Sequence, residues 1–473
     1  MRVAFGGRAR PMIVLLPGLC GLAGCALQGP YTPPATVDDN SRLAPMAPLA
    51  PPLAPGAAWW KTLDDPAVDR LVEQALVANP DLDRAVALIA EARALAGSAA
   101  AAQSPSVTFE GGVSGESTRP ASTSGGGSRT VGTAGLAVAW ELDVFGRVRG
   151  EVEASRNRLD ARVAEAEAVR LALIADVADG VTGLRACRTS LEALSLDIAS
   201  RRTVLDLTRA RREAGFDADL DVLLARTGLA NAETARALRL QECDGLVNAL
   251  VLLTGAEAAT VLDILEAAPF QPPALPPPVR LPGAVLRSSP SVVAAERAAE
   301  AAWADIGVAR AERWPRIDLT AVLTGQWLNA LGTTTESGTG TAGLGLVLPI
   351  FDGGRGAAAV AGGEARYAAA LADLDRALRL SARDVRNALS AAASARSREL
   401  SALDADAAAA ATVRAREAQW RAGAISQFEL EAARQQAFVA RDSVITAGRD
   451  AARSWVALVR AAGPDLLLSE SVQ

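Results

Sequence analysis

The feature that most constrains this chain is that it repeats itself once, over a very long interval. Asn79-Pro80 returns as Ser289-Pro290, and Pro105 with Ser106-Val107-Thr108 returns as Pro315 with Arg316-Ile317-Asp318, both about 210 residues on. Phe145-Gly146-Arg147 matches Phe351 to Arg355, Ala214-Gly215 matches Ala422-Gly423, and Gly255 matches Gly463, each at about 208. A period this long is a duplicated domain, not a solenoid of short repeats. Whatever one half folds into, the other half must fold into as well.

Each half carries the same series of patterns. A helical segment comes first, Asp81 to Gln103 or Ser291 to Arg313, rich in alanine and charge. Two alternating stretches follow, separated by a polar Gly/Ser/Thr loop. In the first half Val107, Phe109 and Val113 share one face before the loop, and Leu136, Val138, Trp140, Leu142 and Val144 share one after it. In the second half these are Ile317, Leu319, Ala321 and Leu323, then Leu344, Leu346, Leu348 and Ile350. Such period-two stretches suit membrane-crossing strands of roughly 9–11 residues. Helical periodicity then resumes, and no proline interrupts residues 147–214 or 355–422. Either run makes a helix of roughly 100 Å. Leu191, Leu194, Ile198, Val204 and Leu205 supply its narrow apolar stripe. The pattern breaks near Gly215 and Gly423, after which a second helix runs back, so each half ends in an antiparallel helical hairpin.

Composition narrows the function. Hydrophobic residues make up 50% of the 473 residues but aromatics only 4%, so the apolar content is mostly Ala, Leu and Val, which favours long helices. Histidine is absent, which removes His-based acid/base, nucleophilic and metal chemistry. A net charge of -6 leaves no basic surplus for phosphates, so no nucleic-acid partner is expected. Asp38-Asp39 and Asp64-Asp65 have no companion base or nucleophile and read as solvated. Gly353-Gly354-Arg355 lacks the spacing and lysine of a phosphate loop and reads as a strand-to-helix turn. No enzyme, cofactor or metal site is expected.

The N-terminus gives an address. Arg2, Arg8 and Arg10 precede an apolar run from Met12 to Leu22, so residues 1–24 read as a secretory signal peptide. Leu22-Ala23-Gly24-Cys25 has the form of a bacterial lipobox, with cleavage before Cys25 and acylation of its thiol. Ala26, in place of aspartate, is similar to an outer-membrane sorting signal. Residues 25–58 then form the lipidated cysteine and a Pro-rich strap. The remaining divisions are helices of the first repeat (59–104), β-hairpin (105–145), long helical hairpin (146–255), linker (256–283), helices of the second repeat (284–314), β-hairpin (315–351), long helical hairpin (352–463) and a tail (464–473).

Four strands cannot span a bilayer alone, because two open edges would leave backbone groups unpaired in hydrocarbon. The chain must oligomerise. Two copies give eight strands, which fill their interior with side chains, and three give twelve, which leave an opening. Cys187 and Cys243 lie about 28 residues before and after Gly215, hence at one height on the first hairpin, and in an oxidising periplasm they are expected to pair.

Several segments together resemble the outer membrane factors, the TolC-like efflux ducts, in their lipoprotein branch. They are Trp59-Trp60-Lys61-Thr62-Leu63-Asp64-Asp65-Pro66, Asn79-Pro80-Asp81-Leu82, Trp140-Glu141-Leu142-Asp143-Val144-Phe145-Gly146-Arg147 and Leu348-Pro349-Ile350-Phe351-Asp352-Gly353-Gly354-Arg355. The resemblance implies a mixed α/β membrane protein: a homotrimer with a twelve-stranded outer-membrane β-barrel, four strands per chain, continuing into a twelve-helix periplasmic tube. It also implies a periplasmic adaptor and an inner-membrane pump of the resistance-nodulation-division class as partners. In such proteins the helical turns dock the adaptor and close the tube. The implied docking residues are Ala214, Gly215, Phe216, Ala422, Gly423 and Ala424, and the implied gate comprises Asp217, Asp219, Asp221, Trp420, Glu429 and Glu431. The same acids equally suit helix N-termini. The family's further aspartate after the second glycine is Ala432 here, and a basic residue sometimes found two after it is Ile425, so the gate differs in detail. The alternatives to a small-molecule efflux duct are an outlet for type I protein secretion and a lipid-anchored periplasmic coiled-coil scaffold.

Overall fold

A computed structural model describes residues 29, 31, 58–118, 127–267, 289–330 and 333–463. The signal peptide, Cys25, most of the strap, most of the 256–283 linker and the 464–473 tail lie outside the described residues. The chain divides into two compact units. One comprises Met1–Thr32, Arg93–Asn157 and Glu300–Ala369, and the other Pro33–Ala92, Arg158–Ala299 and Ala370–Gln473.

The first unit holds a four-stranded antiparallel sheet: β1 Ser106–Thr118, β2 Gly127–Leu142, β3 Arg316–Ala330 and β4 Thr333–Val347, in the order β1-β2-β3-β4. The outer strands β1 and β4 each have one edge with no partner strand among the described residues. Register decides what the faces are. Phe109 pairs with Leu136, which pairs with Leu323, while Val107, Val138, Ala321 and Ala342 form a second row. Trp140, Leu319 and Leu344 form a third, and Leu142, Ile317 and Leu346 a fourth. Directly paired residues share a face, so the four alternating stripes fall on one side of the sheet. The opposite side carries Thr108, Glu110, Thr320, Asp318 and Thr341. Among the described residues nothing covers the apolar side at Phe109, Val113, Leu344 and Leu346, which are all exposed.

The strands are longer than the sequence pattern indicates, at 13 to 16 residues. β4 extends back to Thr333 through Thr333-Thr334-Thr335-Glu336-Ser337-Gly338, residues that read as polar loop. β-Branched threonine suits the extended backbone, and pairing against β3 supplies what hydropathy does not. β4 also stops at Val347, short of Leu348 and Ile350, because Pro349 has no N–H for the ladder. Gly132 has its own reason: a Cβ there would lie 2.0 Å from the Trp327 ring, so the indole packs across the glycine.

At the strand ends aspartates start the long helices. Asp143 accepts from the backbone N–H of Val148 and Arg149 at 3.2 and 2.8 Å, opening α3, Arg147–Glu213. Asp352 does the same through Gly354 and Gly356 at 2.9 and 2.7 Å, opening α7, Arg355–Arg421. Gly353 and Gly354 have φ of 66° and 92°, the backbone of a tight turn.

The second unit is helical. A 3₁₀ turn, Trp59–Leu63, leads into α1, Pro66–Ala78, and α2 spans Pro80–Ala101. α4 spans Asp219–Thr254, α5 Ala258–Ala267, α6 Pro290–Ala311 and α8 Gln427–Ala462; α2 and α6 are each divided between the two units, after Ala92 and after Ala299. The halves match in length: α2 and α6 have 22 residues each, α3 and α7 have 67, and α4 and α8 have 36. The core gathers Trp59, Trp60, Leu71, Leu184, Leu250, Val261, Trp455 and Leu458. Burying such side chains is worth about 1.5–3 kcal/mol each. Cys187 and Cys243 sit in this cluster and form a disulfide with Cα atoms 5.7 Å apart.

The reading of Asp64-Asp65 as solvated is wrong for Asp65. Its carboxylate is buried, accepts from the Ala67 N–H at 2.9 Å as the N-cap of α1, and takes both arms of Arg185 at 2.9 and 3.0 Å. Arg185 also donates to the Leu265 carbonyl at 2.8 Å, so one guanidinium ties α1, α3 and α5 together.

Candidate functional site

The candidate site is built from the two helical turns. Glycine ends the first helix of each hairpin in a left-handed conformation, with φ of 80° at Gly215 and 71° at Gly423. The Phe216 N–H reaches the Arg211 carbonyl at 2.8 Å, and the Ala424 N–H reaches that of Gln419 at 2.9 Å. These six-to-one bonds satisfy carbonyls a helix end leaves orphaned. A Cβ at either glycine would meet nothing, so conformation alone requires glycine. Ala214, Gly215, Ala422, Gly423 and Ala424 are all exposed, and Phe216 is 77% exposed. Leu220, Leu223 and Leu224 extend its apolar patch, a stripe that the sequence analysis did not single out.

The acids separate into three kinds. Asp217 and Asp219 are neutralised locally, by Arg211 at 2.9 Å and Arg212 at 2.7 Å. Asp221 and Glu429 occupy equivalent places in the first turns of α4 and α8. Asp221 accepts the Ala218 N–H at 2.9 Å, and Glu429 accepts the Ser426 N–H at 2.9 Å while Ser426 Oγ accepts the Glu429 N–H at 3.3 Å. The second is a complete capping box. Both acids remain exposed. Glu431 departs from the expected exposed ring. It is 1% exposed, and its carboxylate accepts from Ser200 Oγ on α3, from Gln427 at 2.8 Å and from Arg434 at 3.0 Å. An acid on the inward stripe of α8 is buried against the neighbouring hairpin, and the polar partners make that burial tolerable.

The two turns also meet. The Arg211 guanidinium lies 5.5 Å from the Phe428 ring centroid, a cation–π contact that sequence spacing gave no means of finding. Farther along, Arg453 and Arg460 of α8 pair with Asp179 and Asp176 of α3 at 2.6 Å each. Trp420, half-exposed, completes the set.

The Ser426 N–H holds the Glu429 carboxyl below its ordinary value of 4.5. A depressed carboxyl contributes stability above its unfolded value, lost as pH falls through its lowered folded value. Amide exchange in residues 427–430, corrected for intrinsic rates, is expected to accelerate below that pH while the middle of α8 stays protected. Uniform protection of the first turn across the acid range would contradict the box.

An apolar sheet face left open among the described residues and joined in sequence to two helical hairpins fits an outer-membrane channel component, and comparison with known proteins points the same way. The family model described as outer membrane efflux protein matches residues 71–256 and 281–464, one segment in each half. The chain belongs to the outer membrane efflux protein family, and it is an efflux component of the outer membrane. It is 33% identical over 337 residues to the solvent efflux pump outer membrane protein SrpC of Pseudomonas putida, covering 69% of this chain and 70% of that one. Outer membrane protein OprJ of Pseudomonas aeruginosa is 29% identical over 393 residues, 80% of each chain. The solved outer-membrane channel OprN superposes with a TM-score of 0.77 at 28% identity, covering 93% of this chain and 99% of that one.

Proposed function

We propose that three copies assemble a twelve-stranded barrel and a twelve-helix periplasmic tube. This object is the passive exit duct of a tripartite efflux system. An inner-membrane pump of the resistance-nodulation-division type supplies the energy, and a periplasmic adaptor docks at Ala214, Gly215, Phe216, Ala422, Gly423 and Ala424 to open it. Acylated Cys25 anchors each chain. The cargo is small molecules, drugs or other toxic compounds; the relative SrpC is described as a solvent efflux pump outer membrane protein. The observation that carries this reading is the sheet, which among the described residues has two free edges and an uncovered apolar face. From Ile317 to Trp327 the apolar stripe of β3 covers ten steps, about 33 Å, which at a tilt near 40° projects to about 25 Å, the height of a barrel's apolar band.

In this reading Asp221 and Glu429, exposed near the turns, form acidic rings about the threefold axis and close the duct to anions and large solutes. Planar-bilayer recordings test it. The purified oligomer is expected to show a small, cation-selective conductance that rises several-fold with Asp221→Asn and Glu429→Gln together, the glutamine preserving the capping box. An oligomer that never conducts overturns the duct; conductance unchanged by the substitutions removes these acids from the gate.

A further inference from the structure

Gly29 and Tyr31 are the described residues that precede residue 58, and aromatic side chains of the sheet-bearing unit contact both. Trp303 Nε1 on α6 donates to the Gly29 carbonyl at 3.3 Å. Tyr367 on α7 stands between the other two rings: Tyr31 meets it edge-on with centroids 6.5 Å apart, and Trp303 lies 5.1 Å away on a tilt of 55°. Tyrosine and tryptophan are scarce here, 2 and 8 in the whole chain, yet both tyrosines are in this contact.

The position of the trio along its helices gives it a use. Trp303 lies eight residues before the end of α6 at Ala311, about 12 Å of helix, and β3 begins just beyond at Arg316. Tyr367 lies twelve residues after the start of α7, about 18 Å. The contact is therefore set back from the strand ends by about 12–18 Å of helix on both sides. Cys25 precedes Gly29 by four residues, which reach at most about 14 Å when drawn straight. The headgroup layer that a lipid tether must cross is roughly 5–7 Å thick. Even drawn straight, four residues only just match the set-back between the contact and the strand ends, so any slack would keep Cys25 short of the rim.

We propose that Gly29, Tyr31, Trp303 and Tyr367 form a clamp that keeps the lipid tether taut, delivering acylated Cys25 at the periplasmic rim of the sheet and setting the height at which the strands sit in the bilayer. This rests on the acylation of Cys25. Tether length counts only on the lipid side of the clamp. Chain length beyond the clamp does not enter.

That asymmetry is the test. In the full-length protein, eight Gly/Ser residues are inserted either after Gln28, between lipid and clamp, or after Asn40, beyond it. An alkyne fatty acid reports acylation, and the fraction of chains recovered from outer membranes as the intact oligomer reports insertion. The insertion after Gln28 is expected to lower that fraction at least threefold, as is the Trp303→Ala/Tyr367→Ala pair, while the insertion after Asn40 leaves it unchanged. Two acylated insertion proteins that behave alike overturn the clamp, even if the Trp303/Tyr367 variant fails to fold. A wild-type protein that takes no label, with Cys25→Ser behaving identically, overturns the acylation itself.

Discussion

Replacing Arg185 with leucine is expected to destabilise the helical unit by about 3–5 kcal/mol, the range for removing one partner of a buried ion pair. Asp65 and Arg185 side chains are only 5% and 9% exposed, so solvent cannot take over the role of the missing guanidinium. Among the described residues, the change leaves the Asp65 carboxylate with the Ala67 N–H as its one hydrogen-bond donor and strips the Leu265 carbonyl of the Arg185 donor. Three elements far apart in sequence lose their common tie. The measurement is the denaturant midpoint of the purified protein, followed by helical circular dichroism. Because most of the cost is an orphaned charge, not the loss of attraction, Asp65→Asn combined with Arg185→Met should recover a large part of it, the asparagine keeping the cap on α1. A single variant within 1 kcal/mol of wild type would contradict the account.

The second large effect concerns the disulfide. Cys187 and Cys243 close a loop of 56 residues in sequence separation, and removing such a crosslink is expected to cost about 2–4 kcal/mol. The bridge joins α3 to α4 within the core cluster, so a Cys187→Ser/Cys243→Ser protein also places two hydroxyls among apolar side chains. Reductant separates these contributions: dithiothreitol on the wild type removes the crosslink without the hydroxyls, and its midpoint should fall between oxidised wild type and the double variant. Two thiols that label freely in the native periplasmic protein, with a midpoint indifferent to reductant, would contradict the crosslink.

Much of the architecture was legible in the sequence because its signals are local and long. Alternation over β1 to β4 and an unbroken helical period over 67 residues need no tertiary information, and the left-handed glycines that end α3 and α7 were visible as breaks in pattern. What was not legible depends on partners distant in the chain. Asp65 read as solvated because the arginine that buries it lies 120 residues away. Glu431 read as a ring acid because it lies two residues from Glu429 in the acidic start of α8, whereas Ser200, 231 residues earlier, decides its environment. The first six residues of β4 have no hydropathy signal, and only pairing with β3 makes them a strand. At the candidate site, sequence located the turns and their acids; the local neutralisation of Asp217 and Asp219 by Arg211 and Arg212 required coordinates.

The central claim is that this chain is one third of a closed duct, and subunit stoichiometry tests it most directly. Native mass spectrometry of the detergent-solubilised protein should give a single assembly of three chains, each carrying one acylated cysteine and closing the free edges of β1 and β4 against its neighbours. A protein that stays monomeric or dimeric under conditions that preserve its helical content would leave those edges open, and no twelve-stranded barrel would exist for cargo to cross.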